Sequence, residues 1–414
     1  MMSKSISYSS DFYEVSKYSK LTNRNFQNIP NMKIILQKVR RYLSCHLILG
    51  ITLKPMKKST SMLLGLAAML ASCNNSTQKE TESSSEISKF RHKPLVTHMY
   101  TADPSAHVFE GKIYIYPSHD IETGATSDDM GGHFDMKDYH VFSMDQPGAT
   151  VKDHGPVLKL EDIPWASRQL WAPDAAHKEG KYYLYFPAKD QDDIFRIGVA
   201  VADNPTGPFK AQPNPIKGSY SMDPAVFQDD DGSYYLYFGG IWGGQLQWFE
   251  DGELVAGRKG PTDGIPAPDQ AALMPKVAKL TADMLEMTEK PKDALIVDEQ
   301  GNPILSGDNQ RRFFEGAWVH KYNDQYYLSY STGDTHNIAY AIGDNPYGPF
   351  VHKGNVLLPV QGWTNHHSIV EFEGKWYLFY HDTELSGETH LRNIKMAELQ
   401  YNPDGTIQTI NPMK

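Results

Sequence analysis

Five times along the chain, a turn of small or polar residues leads into an unbroken run of aromatic and aliphatic positions. The runs are "GKIYIYPSHD" from 111, "GKYYLYFPAKD" from 180, "GSYYLYFGG" from 232, "DQYYLSYSTGD" from 324 and "GKWYLFYHDT" from 374. Tyr, Leu and Phe alternate through their centres without a charge, which predicts strands covered on both faces. A second pattern occurs twice: "IGVAVADNPTGPF" (197–209) and "NIAYAIGDNPYGPF" (337–350) each follow a Tyr-rich run and end in Asp-Asn-Pro and Gly-Pro-Phe turns. The central tyrosines, Tyr114, Tyr183, Tyr235, Tyr327 and Tyr377, are spaced 69, 52, 92 and 50 residues apart. That irregularity excludes a tight solenoid and suits an all-β, five-bladed β-propeller with loops of unequal size. The longest gap predicts an insertion over about 252–312, with a short helix in "DQAALMPKVAKLTADM". No separate second domain is predicted.

A polar residue opens the segment upstream of each Tyr-rich run. The segments are "DPSAHVFEGK", "APDAAHKEGK", "DPAVFQDDDGS", "EGAWVHKYNDQ" and "HHSIVEFEGK", and the residues are Asp103, Asp174, Asp223, Glu315 and His366. They precede the central tyrosine by 11, 9, 12, 12 and 11 positions. Alone, an Asp-Pro pair reads as a turn and a Glu at a strand start as a solvated side chain. Recurrence at one repeat position reads differently. If the first strand of each blade lines the central channel, these groups converge at one mouth of it. Carboxylates buried side by side drive their pKa values apart, which is costly for stability and useful for acid–base chemistry. Two carboxyls across a pocket, one protonated and one ionised, are the machinery of glycoside hydrolysis. Asp174, with the shortest offset, reads as a structural or outer group.

Charge divides the chain. Residues 1–72 carry eleven Lys/Arg and two Asp/Glu, leaving 29 Lys/Arg against 48 Asp/Glu in the remainder. So acidic a body argues against a nucleic-acid partner. Both cysteines, Cys45 and Cys73, lie in the N-terminal part, so the body has no disulfide and no thiolate metal site. "MKKSTSMLLGLAAMLASCNNS" from Met56 has a basic start, an apolar stretch over 62–70 and small residues ending at Cys73. That is an export signal too short to span a bilayer, and "LASC" resembles a bacterial lipobox. The expected organisation is an over-extended N-terminus (1–55), a lipoprotein signal peptide (56–73), a polar tether (74–94) and the propeller (95–414). The expected location is outside the cytoplasm, held to a bacterial membrane by a lipid on Cys73.

Asp103 in "TADPSAHVFEGKIYIY", Asp223 in "SMDPAVFQDDDGSYYLYFGG" and Glu315 in "FFEGAWVHKYNDQYYLSYS" resemble the three carboxylates of glycoside hydrolase family 43. "WAPDAAHKEGKYYLYF" and "TNHHSIVEFEGKWYLFYHD" are similar to further family motifs in the same order. The resemblance implies a five-bladed propeller and hydrolysis with inversion. By motif position it makes Asp103 the general base, Glu315 the general acid and Asp223 the residue that tunes and orients Glu315. It implies that Arg392 in "THLRNIKMAEL" contacts sugar hydroxyls. It places His366 near the channel centre, close to a structural calcium, although His367 competes for that position and calcium prefers oxygen. No cofactor is otherwise expected. Trp171 and Phe314 flank the motifs and suit stacking on a sugar face, although Trp171 equally suits the core. The branch it most resembles is exo-acting β-xylosidase/α-L-arabinofuranosidase without a C-terminal sandwich domain, acting on a pentose-containing oligosaccharide or polysaccharide. The 252–312 insertion is the expected wall of its closed pocket. An endo-acting arabinanase or xylanase of the same family, a non-catalytic sugar-binding propeller and a retaining fructan hydrolase are the alternatives.

Overall fold

The computed structural model describes residues 88–414. The stretch 1–55, the signal peptide, Cys73 and the tether up to residue 87 lie outside the described residues. Residues 88–94, expected as the end of the tether, are docked on the C-terminus. Phe90 bridges Met413, and the Arg91 N–H donates to the Pro412 carbonyl at 2.9 Å.

Each predicted pair of segments forms the two inner strands of an antiparallel sheet. Blade I runs Tyr100–Phe109, Lys112–Asp120, Asp138–Met144 and Lys152–Lys159 in spatial order. Blade II is Asp174–Lys178, Lys181–Lys189, Phe195–Ala202 and Lys210–Ala211. Blade III is Ala225–Gln228, Tyr234–Phe238, Lys276–Lys279 and Lys292–Asp293. Blade IV is Glu315–Tyr322, Gln325–Ser331, Ile338–Gly343 and Phe350–Leu357, with Ile296–Val297 added in parallel on its edge. Blade V is His367–Phe372, Lys375–Asp382 and Asn393–Leu399. The chain leading into blade I hydrogen-bonds to that third strand through the Leu95 N–H on the Ile394 carbonyl, and the start of blade I bonds just before it through the Thr101 N–H on the Arg392 carbonyl. Inner strands of successive blades pack on one another, and the ring closes between blades V and I.

Local chemistry explains the hairpins. The first turn needs two residues at positive φ, and Glu110 (φ 52°) and Gly111 (φ 74°) supply them, as do Glu179 with Gly180 and Glu373 with Gly374. Such turns match the right-handed twist of the strands they join.

Buried tyrosines fill the spaces between blades, and their hydroxyls need acceptors there. Tyr116 of blade I donates to the Pro205 carbonyl of blade II at 2.8 Å, and Tyr237 of blade III to the Pro346 carbonyl of blade IV at 2.5 Å. The twice-repeated Asn-Pro turn thus satisfies a tyrosine of the preceding blade. Each such bond contributes on the order of 1 kcal/mol.

The helix expected in "DQAALMPKVAKLTADM" is absent. That stretch holds Lys276–Lys279, paired antiparallel with Tyr234–Phe238. Val277 and Ala278 are both fully buried, one on each face, as a third strand of blade III requires. The expected insertion at 252–312 therefore supplies the outer half of blade III and the edge strand of blade IV.

Candidate active site

The backbone is distorted at each of the three carboxylates. The pairing of Tyr100–Phe109 with its neighbour slips between Ala102 and Ser105, and that of Glu315–Tyr322 slips between Glu315 and Trp318. Bulges of this kind re-aim a side chain out of the strand's regular alternation. Asp103 and Asp223 have φ of 48° and 54°, in the left-handed region, and each precedes a proline. Such conformations cost about 1–3 kcal/mol each and persist where the surrounding fold enforces them. Gly316, at φ 67°, lets the backbone after Glu315 pass the His366 ring; a Cβ there would lie 2.8 Å from His366 Cδ2.

The result is one pocket of about 210 Å³ lined by Asp103, Asp223, Glu315, His366 and Arg392. Asp103 is buried and surrounded by donors. Ser118 donates to its Oδ2 at 2.7 Å, Arg392 Nη1 donates to its Oδ1 at 3.0 Å, and His366 Nδ1 stands 3.5 Å from Oδ1. The Asp103 N–H donates to His381 Nδ1, while His381 Nε2 lies 3.1 Å from the Thr364 carbonyl, which fits a neutral ring protonated at Nε2. Burial opposes ionisation of Asp103, but the Arg392 guanidinium and His366 outweigh it and hold the carboxyl well below the usual range. Glu315 is the opposite case. Burial, reinforced by the charge of Asp223, pushes it up to about 8, and it accepts no side-chain hydrogen bond from any described residue. Asp223, also raised by burial, to about 6, accepts the Gly316 N–H at 3.0 Å and so grips the backbone next to Glu315. Although burial opposes its charge, His366 is pushed up to about 9 by Asp223 and Asp103. At neutral pH Asp103 and Asp223 are thus carboxylates, Glu315 a carboxylic acid and His366 an imidazolium.

The other predicted residues divide. Arg392 lines the pocket, yet its charge is committed to Asp103 and, through Nε and Nη2, to both oxygens of Asp120 at 2.8 and 2.7 Å. Trp171 is both wall and core: it lines the pocket, packs on Phe195 and Met222, and donates from Nε1 to the Phe134 carbonyl. Phe314 lines the pocket and makes an aromatic trio with Trp242 and Trp363, centroids 5.3–5.5 Å apart. His367 is turned away, with Nε2 2.6 Å from Ser329 Oγ, so His366 is the pocket histidine. Asp174 lies outside the pocket and holds Ser105, His107 and the Val226 N–H.

The wall is a correction. No residue of 252–312 lines the pocket. Its side is closed by a blade I loop over 127–136 and the short turn Trp242–Gly244 of blade III, which meet over Trp171. A Cβ on Gly131 would lie 2.6 Å from Trp171 Cη2, and one on Gly243 would lie 2.8 Å from the Met130 carbonyl oxygen.

Residues missed by sequence reading include Ser118, Asp120 and His381, which fix Asp103 and Arg392. The sequence held one signal, since two Tyr-rich runs end in His-Asp, at 119–120 and 381–382.

A calcium beside His366 was the other expectation. Among the described residues, the pocket carboxylates and His366 do not form a group of three donors within 4.8 Å of one another. These side chains do not form a protein cage for calcium, which takes six to eight oxygens.

The family model of glycosyl hydrolases family 43 matches residues 92–407. A "Xylosidase/arabinosidase" of Bacteroides ovatus is 58% identical over 76% of this chain and 96% of its own length. "Xylosidase/arabinosidase 43A" of Humicola insolens is 60% identical over 77% and 99%. Among solved structures, CoXyl43, a GH43 β-xylosidase/α-arabinofuranosidase from a compost microbial metagenome in complex with xylotriose, in calcium-free form, superposes with a TM-score of 0.76. It is 66% identical and covers 78% of this chain and 98% of its own. The GH43_1 enzyme of Xanthomonas citri complexed with xylotriose gives a TM-score of 0.74 at 57% identity, over 78% and 94%. With the propeller, the carboxylate motifs and these likenesses together, the chain belongs to glycosyl hydrolases family 43.

Proposed function

We propose that the protein is an exo-acting, inverting glycoside hydrolase that releases xylose and arabinose from plant hemicellulose oligosaccharides. One observation carries the reading: a single pocket holds a carboxylate kept ionised by cationic neighbours and a carboxyl kept protonated by burial beside an anion. The names of the relatives above and the xylotriose bound by two of the solved structures support pentose substrates.

The chemistry follows from the protonation states. Asp103, ionised and held by Ser118 and Arg392, takes a proton from the attacking water. Glu315 gives its proton to the departing glycosidic oxygen. Asp223 keeps that proton in place by its negative charge and fixes Glu315 through the Gly316 N–H. The water reaches the anomeric carbon from the face opposite the leaving group, so configuration inverts; this requires the two carboxyls to stand about 6.5–9.5 Å apart. His366 balances charge in the pocket floor. Phe314 and Trp171 present apolar surface to the sugar, and Arg392 offers the second N–H of Nη2, the first being given to Asp120 and both of Nη1 to Asp103 and Thr364. The side wall at Trp171 supports removal of terminal units. Export and lipidation at Cys73 complete the reading, with the polar stretch from residue 74 spacing the propeller from a membrane.

Product analysis of wild type and Glu315→Gln on xylo- and arabino-oligosaccharides tests it. Monosaccharide as the first product, abolished in a folded Glu315→Gln, is the expected outcome. Early release of longer fragments from internal bonds would make the enzyme endo-acting. Unchanged turnover by the variant would overturn the acid assignment. Fatty-acid labelling that survives Cys73→Ala would overturn the anchor.

A further inference from the structure

On the face of blade I opposite Ser118 and Asp120, two histidines and a carboxylate meet away from the pocket. His119 lies between those residues near the end of Lys112–Asp120, so strand alternation turns it away from Asp103. Asp138 and His140, two apart on Asp138–Met144, share the face beside it. His119 Nδ1 is 2.5 Å from Asp138 Oδ1, and the two imidazoles meet edge-on at 5.1 Å. Each of the three offers one ligand atom, all within 4.8 Å of one another; no other such set of His, Cys, Asp or Glu occurs among the described residues. Their side chains are 20%, 25% and 14% exposed, so the group is reachable from solvent.

The surroundings prepare one member as a ligand. His140 Nδ1 is 3.0 Å from Asp153 Oδ1, and that carboxylate is itself fixed by the Gly155 N–H at 2.7 Å. A histidine held through Nδ1 by a carboxylate has its lone pair on Nε2, the usual arrangement behind a metal-bound imidazole. His98 closes the far side, with Nε2 2.9 Å from Asp153 Oδ2.

We propose that His119, Asp138 and His140 form a site for a first-row transition ion of the zinc or cobalt class, separate from the catalytic pocket. Two imidazoles and one carboxylate select such ions over calcium and magnesium. Zinc–ligand bonds of about 2.0–2.2 Å put its ligand atoms about 3.3 Å apart, so the group closes by small rotations of partly exposed side chains. Three protein ligands leave at least one position for water. The site adjoins the catalytic machinery through the backbone. Ser118, one residue before His119, donates to Asp103, and Asp120, one residue after, holds Arg392. An ion on His119 therefore stiffens the strand end that positions the base.

The test uses the chain without a polyhistidine tag, stripped with chelator and kept in excess calcium so that oxygen-preferring sites are filled. Cobalt(II) and zinc(II) are titrated by visible absorption and calorimetry. The expected result is one equivalent bound with the absorption of a nitrogen-ligated cobalt ion, displaced by zinc. His140→Ala and Asp138→Asn are each expected to weaken binding at least tenfold while keeping the cleavage rate of the wild type in calcium without cobalt or zinc. Zinc at about a hundred times its Kd is expected to raise the wild-type Tm by a few degrees and to leave His140→Ala unmoved. Equal cobalt affinity in wild type and a folded His140→Ala, or no binding at about 100 μM ion, would overturn the proposal and leave the group a hydrogen-bonded cluster.

Discussion

Replacing Asp223 with Asn removes one negative charge and keeps an acceptor oxygen for the Gly316 N–H. In the wild type, burial and the Asp223 charge together push Glu315 up to about 8. At an effective dielectric of about 20, two like unit charges within about 6 Å repel by about 3 kcal/mol or more, which sets a scale of about 2 pH units. Without that repulsion burial still raises Glu315 and His366 still favours its anion, so the net shift is downward. An acid catalyst works only below its pKa, so the alkaline limb of kcat/KM moves with it. The assay is the pH profile of kcat/KM on xylobiose, whose leaving group needs protonation. The wild type is expected to lose activity above about 8 and the variant at a lower pH, displaced by up to about 2 units. At pH 7 the variant is then slower by up to about tenfold, and at pH 5 most of that loss disappears. An equal loss at every pH, with the limb left where it was, would refute the electrostatic role. Asp223 would then act only by positioning the backbone beside Glu315.

Glu315→Gln is expected to lose about 10²–10⁴ in kcat on xylobiose but far less on aryl xylosides with an activated leaving group, whereas Asp103→Asn loses comparably on both; stopped assays with the two substrates compare them. Proton NMR of the first turnovers on a β-xyloside is expected to show α-xylose before mutarotation, and β-xylose first would exclude inversion. Gly243→Val drives a side chain into the Met130 carbonyl and Trp171, so thermal melts are expected to show a loss of about 1–3 kcal/mol, with a raised KM from the displaced wall. Ser118→Ala removes the 2.7 Å donor to Asp103, so the carboxyl rises toward its ordinary range; the acid limb of kcat/KM moves upward, with a loss of about 1.5–3 kcal/mol in base stabilisation.

Much of the fold was legible because its signals are local. Period-two alternation, paired segments and Glu-Gly turns each depend on neighbours in the chain, and five copies of one unit make a count. The polar residue at the head of each unit was legible for the same reason: a repeat position maps to one place in a ring. The third strand of blade III was not. "MPKVAKL" carries two lysines and a short apolar core, and only the open edge of Tyr234–Phe238 makes it a strand. The pocket wall was misplaced because length suggested a wall, whereas Gly131 and Gly243 make one by allowing two distant loops to close on Trp171.

By itself the sequence determined the number of blades, the carboxylates that face the channel and the family, since each is a pattern of residue types at repeated positions. The tertiary structure alone decided which carboxylate stays charged. Asp103, Asp223 and Glu315 are alike as letters, and their difference lies in a guanidinium from residue 392, an imidazole from residue 366 and the depth of burial. Those neighbours lie up to 289 positions away in the chain. Electrostatic energy depends on distance and dielectric, and neither is a property of sequence separation.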